Sequence, residues 1–323
     1  MSPAGRSTAV ASHDRKDLDR FWTLKETLLP LEQWICTALE EDRARDDGTR
    51  VLFDPPVVRG RAVVTSRQPG VVCGTAAMAA VFGQLDADCQ VIDRLSDGHP
   101  VVEGSVLLVV DGPLVSLLAG ERTALNIGSH LSGIATRTEA LVSRSHGVQI
   151  LDTRKTLPGI RIFQKQAVRS GGGVSHRGDL AQFPMVKENH REWLQRLNPQ
   201  LAEDPAAEVA FIVTRLRQAE ESRPIAIEVE DEISFRACLE QRVDIILVDN
   251  TSPELLSRWI EAAREVGLSL ETSAIEASGG IDEESVSGHA AAGVSRISCG
   301  AITHSAAALD LTLRIDPVPR STG

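Results

Sequence analysis

The sequence predicts an α/β protein in which a first α/β domain is followed by a βα barrel. Three observations predict it. Residues 50–120 break into short apolar segments separated by turns, residues 121–145 carry one long helical face, and from residue 148 onward short apolar strands repeatedly end in a charged residue before a loop or helix. Alternation of strand and helix implies a parallel sheet, and charged side chains at successive strand ends are what a barrel presents at its catalytic face. An open doubly wound sheet is the alternative, although no GxGxxG follows the first strand to support a dinucleotide site.

The elements follow in order. The opening MSPAGRSTAVASHDRKDLDR lacks the apolar stretch of about 7–15 residues that marks a secretion signal, so residues 1–19 are expected to form a polar, disordered tail. VLFD at 51, AVVTS at 62, GVVCG at 70 and VVEGSVLLVVDGP at 101 fit strands, and AAMAAVFGQL at 76 fits a helix. Leu125, Gly128, Leu131, Ile134, Ala135, Leu141 and Val142 then recur at helical spacing, which gives one packed face. Beyond them VQIL runs into Asp152 and Arg154, PMV into Lys187, IAI into Glu228, DIILV into Asp249, SAI into Glu276, and VSRIS into Cys299 and Gly300. Between two of these strands SPELLSRWIEAAREVG reads as a helix capped by Ser252.

Composition narrows the function. Hydrophobic residues make up 42% and charged residues 24%, ordinary globular values, and no apolar run approaches the ~18 residues that cross a bilayer. The chain is expected in the cytoplasm. Its formal charge of −11 and 3% aromatics exclude the basic, ring-studded surface of a nucleic-acid binder. Five cysteines without a CxxC pair argue against a disulfide framework and a zinc site, and are expected to be buried free thiols.

This acidic chain nevertheless places six Lys or Arg against two Asp in residues 152–180. If the strands close into a barrel, Arg154, Lys155, His176, Arg177 and Lys187 share a cavity with Glu228, Asp249 and Glu276. The basic half suits a substrate with more than one carboxylate, because guanidinium forks grip carboxylates bidentately while lysine acts as a point charge. The acidic half suits a magnesium-bound phosphate ligand or a developing cation. GGGV at 171–174 and SGG at 278–280 are candidate loops for close backbone approach to an anion. Taken together, these residues describe an enzyme that brings a carboxylated, polyanionic substrate beside a phosphorylated one.

The blocks ERTALN, LSGIAT, DTRKTLPGIR, QAVRSGGG, HRGDL, VKENH, IEVE, LVDN, EASGGI and CGAITHSAAALDL, in that order, resemble the quinolinate phosphoribosyltransferase family over residues ~105–314. The resemblance implies an N-terminal α/β sandwich at residues 20–134, completed by about 305–323, and an incomplete, open α/β barrel of TIM type at 135–304. It implies phosphoribosyl transfer from phosphoribosyl pyrophosphate to quinolinate with decarboxylation, a glycosyltransferase reaction of NAD biosynthesis. By the same likeness Arg154, Lys155, His176, Arg177 and Lys187 match quinolinate-binding positions, and Arg122 reaches a partner's site in a homodimer or assembly of dimers. Glu228 and Asp249 match carboxylates near the ribose and its Mg2+, held indirectly through water or substrate, and Lys155 offsets charge on the leaving group. Ser278, Gly279, Gly280, Gly300 and His304 match the 5′-phosphate site. Ser175, Gln182 and Asp231 depart from the family pattern, so a paralogue acting on another carboxylated aromatic is a second reading. Of a different class are a barrel aldolase with Lys155 or Lys187 as Schiff-base nucleophile, and a non-catalytic anion-binding protein.

Overall fold

The structure, a computed structural model, describes residues 14–53, 58–219 and 222–318. Residues 1–13 of the expected tail lie outside the described residues. Residues 14–19 do not belong to a tail: Arg15–Arg20 is helical, the Asp14 carboxylate accepts the Lys16 N–H at 2.9 Å as its cap, and Leu18 is buried.

In chain order the strands are β1 (Arg59–Ser66), β2 (Gly70–Val71), β3 (Gln90–Arg94), β4 (Pro100–Val101), β5 (Val106–Pro113), β6 (Gln149–Leu151), β7 (Met185–Val186), β8 (Ala226–Val229), β9 (Ile245–Asp249), β10 (Ala274–Ser278), β11 (Arg296–Ser298) and β12 (Leu311–Pro317). They divide between two compact units. The barrel unit comprises Ala140–Lys155 and Val174–Ala301; the first unit comprises the described chain up to Glu139, Thr156–Gly173 and the chain from Ile302. Residues 156–173, expected inside the barrel domain, therefore cluster with the first unit. No helix among the described residues is long and apolar enough to cross a membrane.

In the first unit a four-stranded antiparallel sheet runs β12-β1-β5-β3, and β2 pairs with β4. Along β1 burial alternates, with Gly60, Ala62, Val64 and Ser66 inside, as a sheet with one covered face requires. The first three residues of VLFD, expected as a strand, are instead the end of a 3-10 segment, Gly48–Phe53, with Val51 and Leu52 exposed; Asp54 lies outside the described residues. The long helix is Leu114–Val142, and Leu125, Leu131, Ile134, Ala135 and Leu141 are buried along it as their spacing predicts. At Gly171 a Cβ would fall 2.3 Å from the Ala135 carbonyl oxygen, and Gly172 has φ +86°. The glycines of GGGV thus serve close packing and a turn rather than an anion loop.

The barrel unit holds a parallel sheet ordered β6-β11-β10-β9-β8-β7, and a single further parallel bridge joins Leu151 to Val174. The Val174 bridge and β7 are consecutive in the chain yet stand at opposite ends of this order, so the sheet runs round an incomplete barrel. Its central strands β8 and β9 are buried along almost their whole length, as strands covered on both faces are, with Glu228 and Asp249 as their charged residues. Ser252 caps Pro253–Glu265 by accepting the Leu255 N–H at 3.3 Å, and Leu256, Trp259, Ile260 and Ala263 are buried on one face of that helix.

Candidate active site

Register decides which side chains share the barrel's inner face. Glu228 lies opposite Leu247, Leu247 opposite Glu276, and Glu276 opposite Arg296, so these four point to the same side of neighbouring strands. Two residues further on, Asp249 lies opposite Ser278 on that same side. The concave side is identified by a contact that spans strands. His176, just beyond the Val174 bridge, places Nε2 3.2 Å from Oε1 of Glu276 on β10, although β6 and β11 stand between them in the sheet.

The cations arrive from loops after the strand ends. Arg154 and Lys155 follow β6, half-buried and exposed respectively, and the Lys155 N–H donates to Thr153 Oγ1 at 3.0 Å. Arg177 is 7% exposed, donates Nη1–H to the Phe183 carbonyl at 3.0 Å, and lies 5.7 Å over the Phe183 ring. Burial, and after it the nearby charge of Arg154, lowers its guanidinium from the ordinary arginine value, although it remains a cation. The two arginines therefore sense each other, a repulsion that a bound dianion would relieve. Lys187, half-exposed at the head of Glu188–Leu197, is ion-paired through Nζ with the buried carboxylate of Glu228. Cationic and acidic halves meet at that pair.

Asp249 closes β9, and its Oδ2 accepts from Asn250 Nδ2 at 2.8 Å. The Asn250 N–H donates to the Ser278 carbonyl at 3.0 Å, which ties the ends of β9 and β10 together. Gly279 and Gly280 follow with φ of +90° and +61°, a backbone that turns the chain sharply where Ser278 ends. Gly300 comes after Cys299, whose N–H donates to the Leu151 carbonyl at 2.9 Å and whose Sγ donates to the Ile281 carbonyl at 3.0 Å. Two of the expected site residues, Arg122 and His304, belong to the first unit. Arg122 is exposed on Leu114–Val142, and His304 Nδ1 lies 2.5 Å from Ser305 Oγ. Three of the six cations in residues 152–180, Arg161, Lys165 and Arg169, likewise sit in the first unit, on Arg161–Ser170.

Arg296 was not anticipated, and Asp152, noted as a charged strand end, had been given no role. Arg296 places Nε 2.8 Å from the second Glu276 oxygen, and Asp152, wholly buried, accepts the His176 N–H at 2.8 Å. Burial would raise Glu276, but the adjacent His176 ring and the charge of Arg296 outweigh it and hold the carboxyl below its usual range. A charge in the middle of the apolar strand VSRIS was the available signal for Arg296. Gln182 Oε1 accepts the Gly178 N–H at 2.7 Å and Asp179 Oδ1 accepts the Gln182 N–H at 2.9 Å, so this departure closes the loop behind Arg177. Asp231, another departure, caps Glu232–Glu240 by accepting the Ser234 N–H at 2.8 Å. Nothing in the structure explains Ser175.

Residues 46–132 match the family model for the quinolinate phosphoribosyl transferase N-terminal domain, and residues 134–314 match that for the C-terminal domain. The chain belongs to the quinolinate phosphoribosyltransferase family. Among its relatives, a probable carboxylating nicotinate-nucleotide pyrophosphorylase of Archaeoglobus fulgidus is 37% identical over 79% of this chain and 93% of its own length. The carboxylating nicotinate-nucleotide pyrophosphorylase of Mycobacterium leprae is 35% identical over 86% of this chain and 95% of its own. A solved nicotinate-nucleotide pyrophosphorylase from Francisella tularensis superposes with a TM-score of 0.77 at 32% identity, covering 89% of this chain and 96% of that one. The two family models meet at residues 132–134, within Leu114–Val142, whereas residues 156–173 and 302–314 of the C-terminal match cluster with the first unit.

Proposed function

We propose that this phosphoribosyltransferase joins quinolinate to the sugar of phosphoribosyl pyrophosphate, releasing pyrophosphate and CO2 and leaving nicotinate mononucleotide for NAD synthesis. The observation that carries the reading is the junction at Lys187 and Glu228, where a cluster of cations meets carboxylates on one concave face. Arg154, Lys155, His176, Arg177 and Lys187 receive the diacid. Arg177 supplies a guanidinium fork with little water around it, where a charge-assisted pair counts most. The phosphate of the sugar lies against Ser278, Gly279, Gly280 and Gly300.

As pyrophosphate departs, C1 of the ribose gains oxocarbenium character, and Glu228 and Asp249 stabilise that charge. Lys155 offsets charge on the leaving group. The pyridine nitrogen takes the sugar, and the adjacent carboxylate leaves as CO2 because the cationic ring accepts its electron pair. The ring carbon that loses CO2 then takes a proton from water, and no side chain is assigned as acid or base for that step.

Glu228 and Asp249 offer the hard oxygen donors that Mg2+ prefers. Among the described residues no three His, Cys, Asp or Glu converge to hold a metal, so these two carboxylates would share the ion with substrate oxygens and water. When bound, Mg2+ would neutralise charge on the departing pyrophosphate. A homodimer with shared sites gives exposed Arg122 its role, reaching the partner subunit's acid site. Five free thiols suit a reducing compartment, and we assign the enzyme to the cytoplasm. The Schiff-base reading loses its footing at Lys187, which is half-exposed and paired with an anion rather than desolvated or flanked by cations.

Incubation of the protein with quinolinate, phosphoribosyl pyrophosphate and Mg2+ tests the proposal. Mass spectrometry should find nicotinate mononucleotide, with one CO2 released per product. Turnover no greater than in a protein-free control would refute it.

A further inference from the structure

Glu276 is wholly buried on β10, where a carboxylate persists only with partners that satisfy it. Its two oxygens face different donors, His176 Nε2 at 3.2 Å and Arg296 Nε at 2.8 Å. At the far side of the imidazole, Nδ1 accepts the backbone N–H of Arg177 at 2.8 Å. A ring nitrogen that accepts a hydrogen bond carries no proton, so the proton resides on Nε2, the nitrogen that lies 3.2 Å from Glu276 Oε1. The His176 N–H is itself held by Asp152 at 2.8 Å. Three anchors therefore fix one residue, and the one at Nδ1 sets the start of Arg177.

We infer that Glu276, oriented by Arg296, is a positioning residue of the acid site: it holds His176 in the Nε2–H tautomer, and through His176 it fixes Arg177. The kinetic half of this inference rests on the acid-binding role given to His176 and Arg177 above; the tautomer half does not. Only a carboxylate fits between the two donors. An amide would offer one acceptor and turn its own NH2 toward the other donor, so Glu276→Gln sets donor against donor. Phe183 completes the arrangement, with its ring 5.6 Å from that of His176 and its carbonyl on the Arg177 guanidinium.

Long-range nitrogen–proton NMR of histidine-labelled protein tests it, the His176 signals being assigned by their loss in His176→Gln. The wild-type ring should show the Nε2–H signature at pH 7. In Glu276→Gln that signature should give way to a mixture of tautomers, and KM for quinolinate should rise about tenfold, as for other supporting partners, with kcat within about twofold. An Nδ1–H or doubly protonated ring in the wild-type protein overturns the inference without need of any variant. So does a Glu276→Gln enzyme that keeps both the wild-type signature and the wild-type KM. Unchanged KM in Glu276→Gln together with unchanged quinolinate binding in Arg177→Ala overturns the acid-site reading instead.

Discussion

Gly279 and Gly280 are adjacent and both left-handed, yet substitution by alanine should affect them unequally. Alanine in the left-handed region costs about 1–2 kcal/mol at either position. At Gly280, φ +61°, a Cβ meets nothing within 4 Å, and that strain is the whole effect. At Gly279, φ +90°, a Cβ would fall 2.3 Å from Asn250 Oδ1 and 2.6 Å from the Asn250 backbone nitrogen. A side-chain rotation relieves the first overlap but not the second, so backbone must move, at about 1–3 kcal/mol more by comparison with overpacked cores. The displaced segment carries Asn250, whose amide holds Asp249 at 2.8 Å and whose N–H ties β9 to β10. Gly279→Ala should therefore lose about 2–5 kcal/mol in urea unfolding, against about 1–2 kcal/mol for Gly280→Ala, and should raise KM for phosphoribosyl pyrophosphate about tenfold or more. Equal destabilisation of the two variants, or an unchanged KM in Gly279→Ala, would refute this account of the loop.

Arg177→Ala should weaken quinolinate binding by about 1.5–3 kcal/mol, roughly 10–100-fold by calorimetry, by removing a charge-assisted pair. Glu228→Ala should chiefly depress kcat, since it removes a carboxylate from beside the sugar; a change confined to KM for quinolinate would contradict that role. Because the folded Glu276 carboxyl titrates below its ordinary value, its contribution to stability is full above the ordinary glutamate pKa and is lost as pH falls through the lower folded value. The stability gap between wild type and Glu276→Gln should close over that acid window, as followed by urea midpoints; a gap constant with pH would count against it. Inactive Arg122→Ala and Glu228→Ala chains, refolded together, should regain partial activity through mixed dimers with one intact site, and verified mixed dimers without activity would exclude sharing.

Local chemistry was legible in the sequence; long-range pairing was not. DIILV before Asp249 could be read as a covered parallel strand because four consecutive apolar residues leave no solvent face, and Ser252 before Pro253 announced its helix. The placement of β12 beside β1 had no local signal, because antiparallel partners some 250 residues apart leave no mark on either segment. Arg161–Ser170 alternates like any helix of a βα repeat, and only tertiary contacts assign it to the first unit. In the site, residue types exposed the cations and carboxylates, since a charge at the end of an apolar strand is costly without a purpose. They could not tell that Lys187 pairs with Glu228 or that Glu276 serves His176, because partner choice depends on register and on the curl of the sheet.

The aromatic inventory has a practical outcome. With no tyrosine and four tryptophans in the chain, near-ultraviolet absorption and fluorescence belong almost wholly to indole. Trp22 and Trp34 stack on Phe163 in the first unit, at ring separations of 5.9 and 4.8 Å, whereas Trp259 lies 6.0 Å from Phe235 in the barrel unit and Trp193 is exposed there. Each unit thus contains its own optical reporter. Emission from Trp22→Phe/Trp34→Phe and Trp259→Phe variants would reveal whether both units melt as a single cooperative body or in succession.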